Sequence, residues 1–112
     1  MKVAIPLAEG KLSPHFGHCE KFTVFNLDVE KKEIKKREDL VAPPHEPGLL
    51  PKWLAEKNVN MIIAGGMGQR AQALFKAKNI EVVIGANALT PEKLIESFIS
   101  GELKSGENFC NH

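Results

Sequence analysis

Three short runs in this chain are almost continuously apolar: Lys2 to Leu7 (KVAIPL), Asn60 to Ala64 (NMIIA) and Ile80 to Ile84 (IEVVI). Each is too short for a helix and rich in branched residues, and none alternates. Such runs suit strands covered on both faces, the pattern of a mostly parallel sheet sandwiched between helices. Between the first two runs, Phe22 to Asp28 (FTVFNLD) alternates in part, and the charged stretch to Leu40 reads as a further, more exposed strand after a hairpin turn at Glu30 to Lys32. Its lysines suit a sheet edge, where charge discourages pairing with other chains.

Three helices are predicted from apolar periodicity. Leu50, Trp53 and Leu54 make one stripe, with Pro51 acceptable in the first turn. Ala71, Leu74 and Phe75 make a second over about Gln69 to Lys78. The third has Thr90 as a candidate cap, Pro91 at its first position, Leu94, Ile95, Phe98 and Ile99 on its buried face, and Gly101 as its stop. The first three strands are linked too tightly for helical crossovers and should be antiparallel neighbours, whereas the later strand-helix-strand units require parallel pairing. A mixed five-stranded α/β sheet with helices on both faces follows.

The chain has 112 residues, enough for one compact domain and too few for two ordinary ones. We expect that domain over residues 1–101, with 102–112 as a C-terminal tail prone to disorder. Apolar residues make up 43% and charged residues 26%, as in globular proteins. The formal charge of +1 comes from interleaved signs, with Lys31, Lys32, Lys35, Lys36 and Arg37 set among Glu30, Glu33, Glu38 and Asp39. That pattern argues against a nucleic-acid footprint. With no membrane-length apolar window and no signal-peptide layout, a cytoplasmic chain with no membrane partner is expected. In that reducing compartment, Cys19 and Cys110 should be free thiols or metal ligands.

All four histidines and both cysteines fall in predicted loops or the tail. His15, His18 and Cys19 cluster within SPHFGHCEKF, after the first strand. His45 lies in the Pro-rich connection APPHEP, and Cys110 and His112 end the chain. Imidazole and thiolate favour iron, zinc, copper or an iron–sulfur cluster over magnesium or calcium. The spacing matches no closed Cys-x-x-Cys zinc site, so an open site, or one completed by a second chain, is the better match. His15, His18 and Cys19 are the leading candidate metal ligands, with His45, Cys110 and His112 as further candidates.

Gly65-Gly66-Met67-Gly68 forms a second constellation, directly between a buried strand and a helix. Glycines permit close backbone approach, and free amides at a helix start attract anions. The turn is neither a P-loop nor a G-x-G-x-x-G dinucleotide fingerprint. In the expected sheet, strands one and four are neighbours, so the HFGHC and GGMG loops should line one crevice. Catalytic templates fail: the arginine of a His-Cys-x5-Arg phosphatase loop is replaced by Phe25, and no G-x-S-x-G elbow occurs. KVAIPL and NMIIA also lack the carboxylates of a two-metal nuclease. Glu9 and Glu20 beside the loop read as solvated surface.

With Ser-Pro-His-Phe-Gly at 13–17, Gly-Gly-Met-Gly at 65–68 and Ile-Glu-Val-Val-Ile-Gly at 80–85 in this order, the chain resembles the dinitrogenase iron-molybdenum cofactor biosynthesis family. That family includes NifX-like and NifY-like carriers and the C-terminal domain of NifB. The resemblance spans essentially the whole chain. It implies a ribonuclease H-like fold with strand order 3-2-1-4-5 and strand two antiparallel. It also implies non-catalytic binding of an iron–sulfur cluster, or of the iron-molybdenum cofactor or a precursor. Carried over by position, it marks His15, Phe16 and Gly17 in one loop and Gly65, Gly66 and Gly68 in the other; Met67 is included with the second loop as a cofactor-binding candidate. His18, Cys19 and a Cys-x-His tail match a subset of stand-alone members.

The radical S-adenosylmethionine domain and additional N-terminal domain of longer relatives have no counterpart in these residues. Carriage, rather than synthesis of a cofactor core, is therefore expected. The expected partners are a metal cluster and the proteins that donate or accept it, with the chain a monomer or weak homodimer. Two other readings stand beside it: a metal-free protein interaction module, and a small-anion or nucleotide-binding protein using the GGMG loop.

Overall fold

The computed structural model describes residues 1–8, 10–12, 20–43, 48–84 and 90–101. Strand β1 (Lys2–Ala8) lies at the centre of the sheet, and β2 (Lys11–Leu12) is a two-residue appendage to it. On one side, β3 (Lys21–Asp28) pairs antiparallel with β1, and β4 (Glu33–Val41) pairs antiparallel with β3. On the other, β5 (Met61–Ile63) and β6 (Glu81–Val83) run parallel to β1. The order β4-β3-β1-β5-β6 is the expected 3-2-1-4-5 once β2 is set aside. Helices α1 (Leu49–Glu56), α2 (Gln69–Ala77) and α3 (Pro91–Ser100) complete the domain.

Side chains alternate across a strand, so the central strands feed two cores. Ala4, Phe22, Val24 and Ile62 pack with Leu50 and Leu54 of α1 and Phe75 of α2. Val3, Ile5, Phe25, Leu27, Met61 and Ile63 pack with Leu94 and Ile95 of α3 on the opposite face. Two helices therefore cover one face and one covers the other. This double cover explains why the β1 and β5 sequences are apolar without alternation.

The two edges differ. All of β4 is exposed except Leu40, as its charges predict, and a register shift between Asn26 and Leu27 bends its pairing with β3. The other edge is β6, where Glu81 is exposed and Val82 and Val83 are half-buried, one against each core.

Pro51 falls in the first turn of α1, where its missing N–H costs no helical bond. Gly101 ends α3 in the left-handed region (φ 81), as glycine allows. Thr90 departs from expectation: it occupies the N-cap position and its carbonyl accepts the first helical bond from Leu94 N–H, but its side chain makes no capping bond. The start of α3 carries Glu92 instead, an acid favoured by the helix dipole and paired with Arg37 of β4. No helix of the described residues is long and apolar enough to cross a membrane.

Candidate functional site

Parallel pairing of Val3 with Met61 and Ala4 with Ile62 brings the carboxyl ends of β1 and β5 to the same edge of the sheet. Beyond Ala4, β2 folds back on β1, pairing Leu7 with Leu12 and Ala8 with Lys11. Gly10, at φ 79, lies in the left-handed conformation that this tight reversal uses. The β3 ladder already occupies one side of β1 as far as Leu7 paired with Lys21, so β2 must lie on the β5 side. Leu12 is buried there, while Glu20 donates its N–H to the Leu7 carbonyl at 2.8 Å on the β3 side. The chain thus leaves the described residues at Leu12 and re-enters at Glu20 on opposite flanks of β1, both at its carboxyl end.

The glycine turn starts at Gly65, with one residue, Ala64, between it and β5. Ala64 N–H donates to the Val83 carbonyl at 2.8 Å, extending the β5–β6 pairing to the threshold of the turn. Gly65 and Gly66 are buried, Met67 is fully buried in the core beneath α1 and α2, and Gly68 is exposed. The Gln72 side-chain amide donates to the Met67 carbonyl at 2.8 Å, and the Gln72 backbone N–H donates to the Gly68 carbonyl at 3.1 Å. One glutamine thereby holds the turn against the first turn of α2.

At Gly68 the backbone is ordinary extended chain (φ −63, ψ 154), with no side-chain cap on α2 and no acid in its first turn. A Cβ built at Gly68 would meet nothing within 4 Å. Among the described residues, the first-turn amides of α2 therefore lack the side-chain acceptor that helix starts usually carry.

The α3 side of this edge is more polar. Thr23 is fully buried, and its hydroxyl donates to Asp39 Oδ1 at 2.9 Å. Arg37 Nε donates to the same oxygen at 3.1 Å, another nitrogen of its guanidinium pairs with Glu92, and the group lies 5.5 Å from the Phe25 ring centroid. The Thr23 hydrogen bond, opposed by burial and reinforced by the Arg37 guanidinium, holds the Asp39 carboxyl below the usual carboxylate range. A cavity of about 330 Å³ opens here, lined by Leu7, Gly10, Glu20, Lys21, Arg37 and Asp39. A larger open groove of about 710 Å³ lies between the β3–β4 turn and the end of α3, away from the glycine turn.

Of the sequence-predicted residues, Gly65, Gly66, Met67 and Gly68 are placed at the carboxyl edge. Gly68 faces solvent, and Met67 is part of the core. His15, Phe16, Gly17, His18, Cys19, His45, Cys110 and His112 lie outside the described residues. Among the described residues, no group of three or more His, Cys, Asp or Glu side chains is placed to hold a metal ion. Sequence reasoning missed Gln72 and the Thr23–Asp39–Arg37–Glu92 chain. A glutamine four residues beyond a glycine turn is a readable cue for the first. The second joins residues far apart in sequence and left no local cue.

This is the architecture of a doubly covered α/β domain, a class of open sheet in which ligands commonly bind at the carboxyl ends of the strands. Residues 1–101 match the family described as dinitrogenase iron-molybdenum cofactor, and the chain belongs to that family. It is 36% identical to the protein MJ0580 of Methanocaldococcus jannaschii over 96% of this chain and 92% of that one. It is also 31% identical to the FeMo cofactor biosynthesis protein NifB of Chlorobaculum tepidum, over 95% of this chain but 24% of that protein. The crystal structure of PH0822 superposes with a TM-score of 0.88 at 28% identity, covering 100% of both chains.

Proposed function

We propose that this protein is a non-catalytic carrier whose cargo is an iron–sulfur or iron-molybdenum-type cluster, received from one protein and passed to another. The observation that supports it most directly is the open, uncapped start of α2 at Gly68, one strand away from the chain positions that flank residues 13–19. Clusters of this kind are anionic, and unshared backbone N–H groups at a helix start favour negative charge. Cys19, with His15 or His18, supplies metal-binding donors, and the Gly65–Gly68 turn supplies the amide surface. A small donor set suits a carrier, because a cargo held by few bonds can be released. Membership of the family is consistent with this role.

The test is anaerobic reconstitution with iron and sulfide, followed by ultraviolet-visible and electron paramagnetic resonance spectroscopy of the wild type, Cys19→Ser and Gly68→Asp. Stable uptake by the wild type, with loss in both variants, is expected. Uptake that both variants retain would remove the thiol and the glycine turn from the mechanism.

A further inference from the structure

The charge of this chain is unevenly distributed along its length. From Lys57 to Ile80 there is no Asp or Glu, while Lys57, Arg70, Lys76 and Lys78 supply four cations; the whole chain is only +1. Three of the four belong to α2 or its C-cap, and Arg70 stands in the first turn, where the helix dipole disfavours a cation. Among the described residues, Arg70, Lys76 and Lys78 make no ion pair, so no described acid neutralises their charge. By contrast, α3 mixes Glu92 and Glu96 with Lys93, and α1 holds Lys52 and Glu56.

The outer side of α2 suits a contact. Phe75 is its only fully buried residue, with Ala71 and Gln72 half-buried beside it. Opposite, Ala73, Leu74 and Ala77 are exposed between Arg70, Lys76 and Lys78. This gives a low apolar strip with a cationic rim, the reverse of the usual charged outer face of a surface helix. Its cationic rim starts at Arg70, two residues past Gly68.

We infer that the exposed face of α2 is the docking surface for an acidic protein partner, one presenting Asp and Glu around a small apolar contact. This rests on the carrier reading, and the partner would be the protein that gives or takes the cargo. Unlike charges steer the encounter and set its register, while the Ala73–Leu74–Ala77 strip supplies the desolvated centre. Docking here brings the partner to the open turn at Gly68 without covering the α3 face.

To test this, a photo-crosslinking amino acid is placed at Ala73 of the full chain in its native cells, and the crosslinked peptides are sequenced. The captured protein is then purified and its affinity for the carrier measured against salt. The expected result is a crosslink to an Asp- and Glu-rich segment of another protein. Binding should weaken as salt rises and fall at least about tenfold in Lys76→Glu/Lys78→Glu, with recovery when acids of that segment are changed to lysine. Crosslinks to a second copy of this chain, to nucleic acid or to no protein would overturn the proposal, as would affinity unchanged by the double reversal.

Cluster uptake by the double variant, followed spectroscopically, separates the two readings. Retained uptake with lost docking supports the surface alone. Docking by a chain that takes up no cluster would overturn the carrier reading and leave the surface standing.

Discussion

Thr23 and Asp39 are register partners on adjacent strands, and the buried hydroxyl of one donates a 2.9 Å hydrogen bond to the half-exposed carboxylate of the other. The bond fixes the charged end of β4 over the α3 face, where the same carboxylate oxygen accepts from Arg37. Because it favours the ionised acid, Asp39 titrates lower in the folded chain than in the unfolded one.

The sign of the pH effect follows. A carboxyl whose folded value is depressed adds stability that is fully present above its unfolded value, about 3.9, and is lost as pH falls through the folded value. Asp39→Asn should therefore lower the urea midpoint near neutral pH and have a smaller effect in strong acid. Equal loss at both ends would show that the charge is not what matters.

Thr23→Val keeps the shape and removes the donor. A loss of about 1 kcal/mol is expected, measured by urea denaturation. An Asp39 titration curve moved back towards the ordinary range, read by NMR of its carboxyl carbon, would identify the hydroxyl as the cause.

Arg37 joins β4 to the first turn of α3 through Glu92. Both side chains are partly exposed, at 36% and 49%, so a double-mutant cycle of Arg37→Met and Glu92→Gln should give a coupling of about 0.2–1 kcal/mol, smaller at high salt. Zero coupling at low salt would count against the pair as a tie between these elements.

Phe75 anchors α2 to the sheet with no exposed surface. Phe75→Ala should cost about 3–5 kcal/mol, whereas the same truncation at exposed Leu74 should stay within about 0.5 kcal/mol. Thermal unfolding of the two variants side by side checks the orientation assigned to α2.

At Gly68 a methyl group meets no neighbour, so Gly68→Ala should leave the melting temperature within a few degrees of wild type. If cargo rests on the turn, the bulkier Gly68→Leu should lower cluster uptake while remaining folded by circular dichroism. Full uptake by a folded Gly68→Leu chain would place the cargo elsewhere.

Local sequence determined the central strands, the helices and their order, because apolar periodicity and Pro or Gly signals act over a few residues. KVAIPL and NMIIA became adjacent strands for that reason, and Pro91 and Gly101 mark the bounds of α3. The GGMG turn was legible as a break between strand and helix. Tertiary structure alone decided the rest. IEVVI is apolar like the central runs, because its valines face a core on each side, yet among the described strands it is the last of the sheet. Met67 sits among glycines as if offered to a ligand, but the space beneath α1 and α2 takes it into the core. Thr90 reads as a cap, but Glu92, paired with an arginine more than fifty residues earlier, supplies the charge at that helix start. Burial and long-range pairing depend on which segments the fold brings together, and that geometry is not encoded in any single window of the chain.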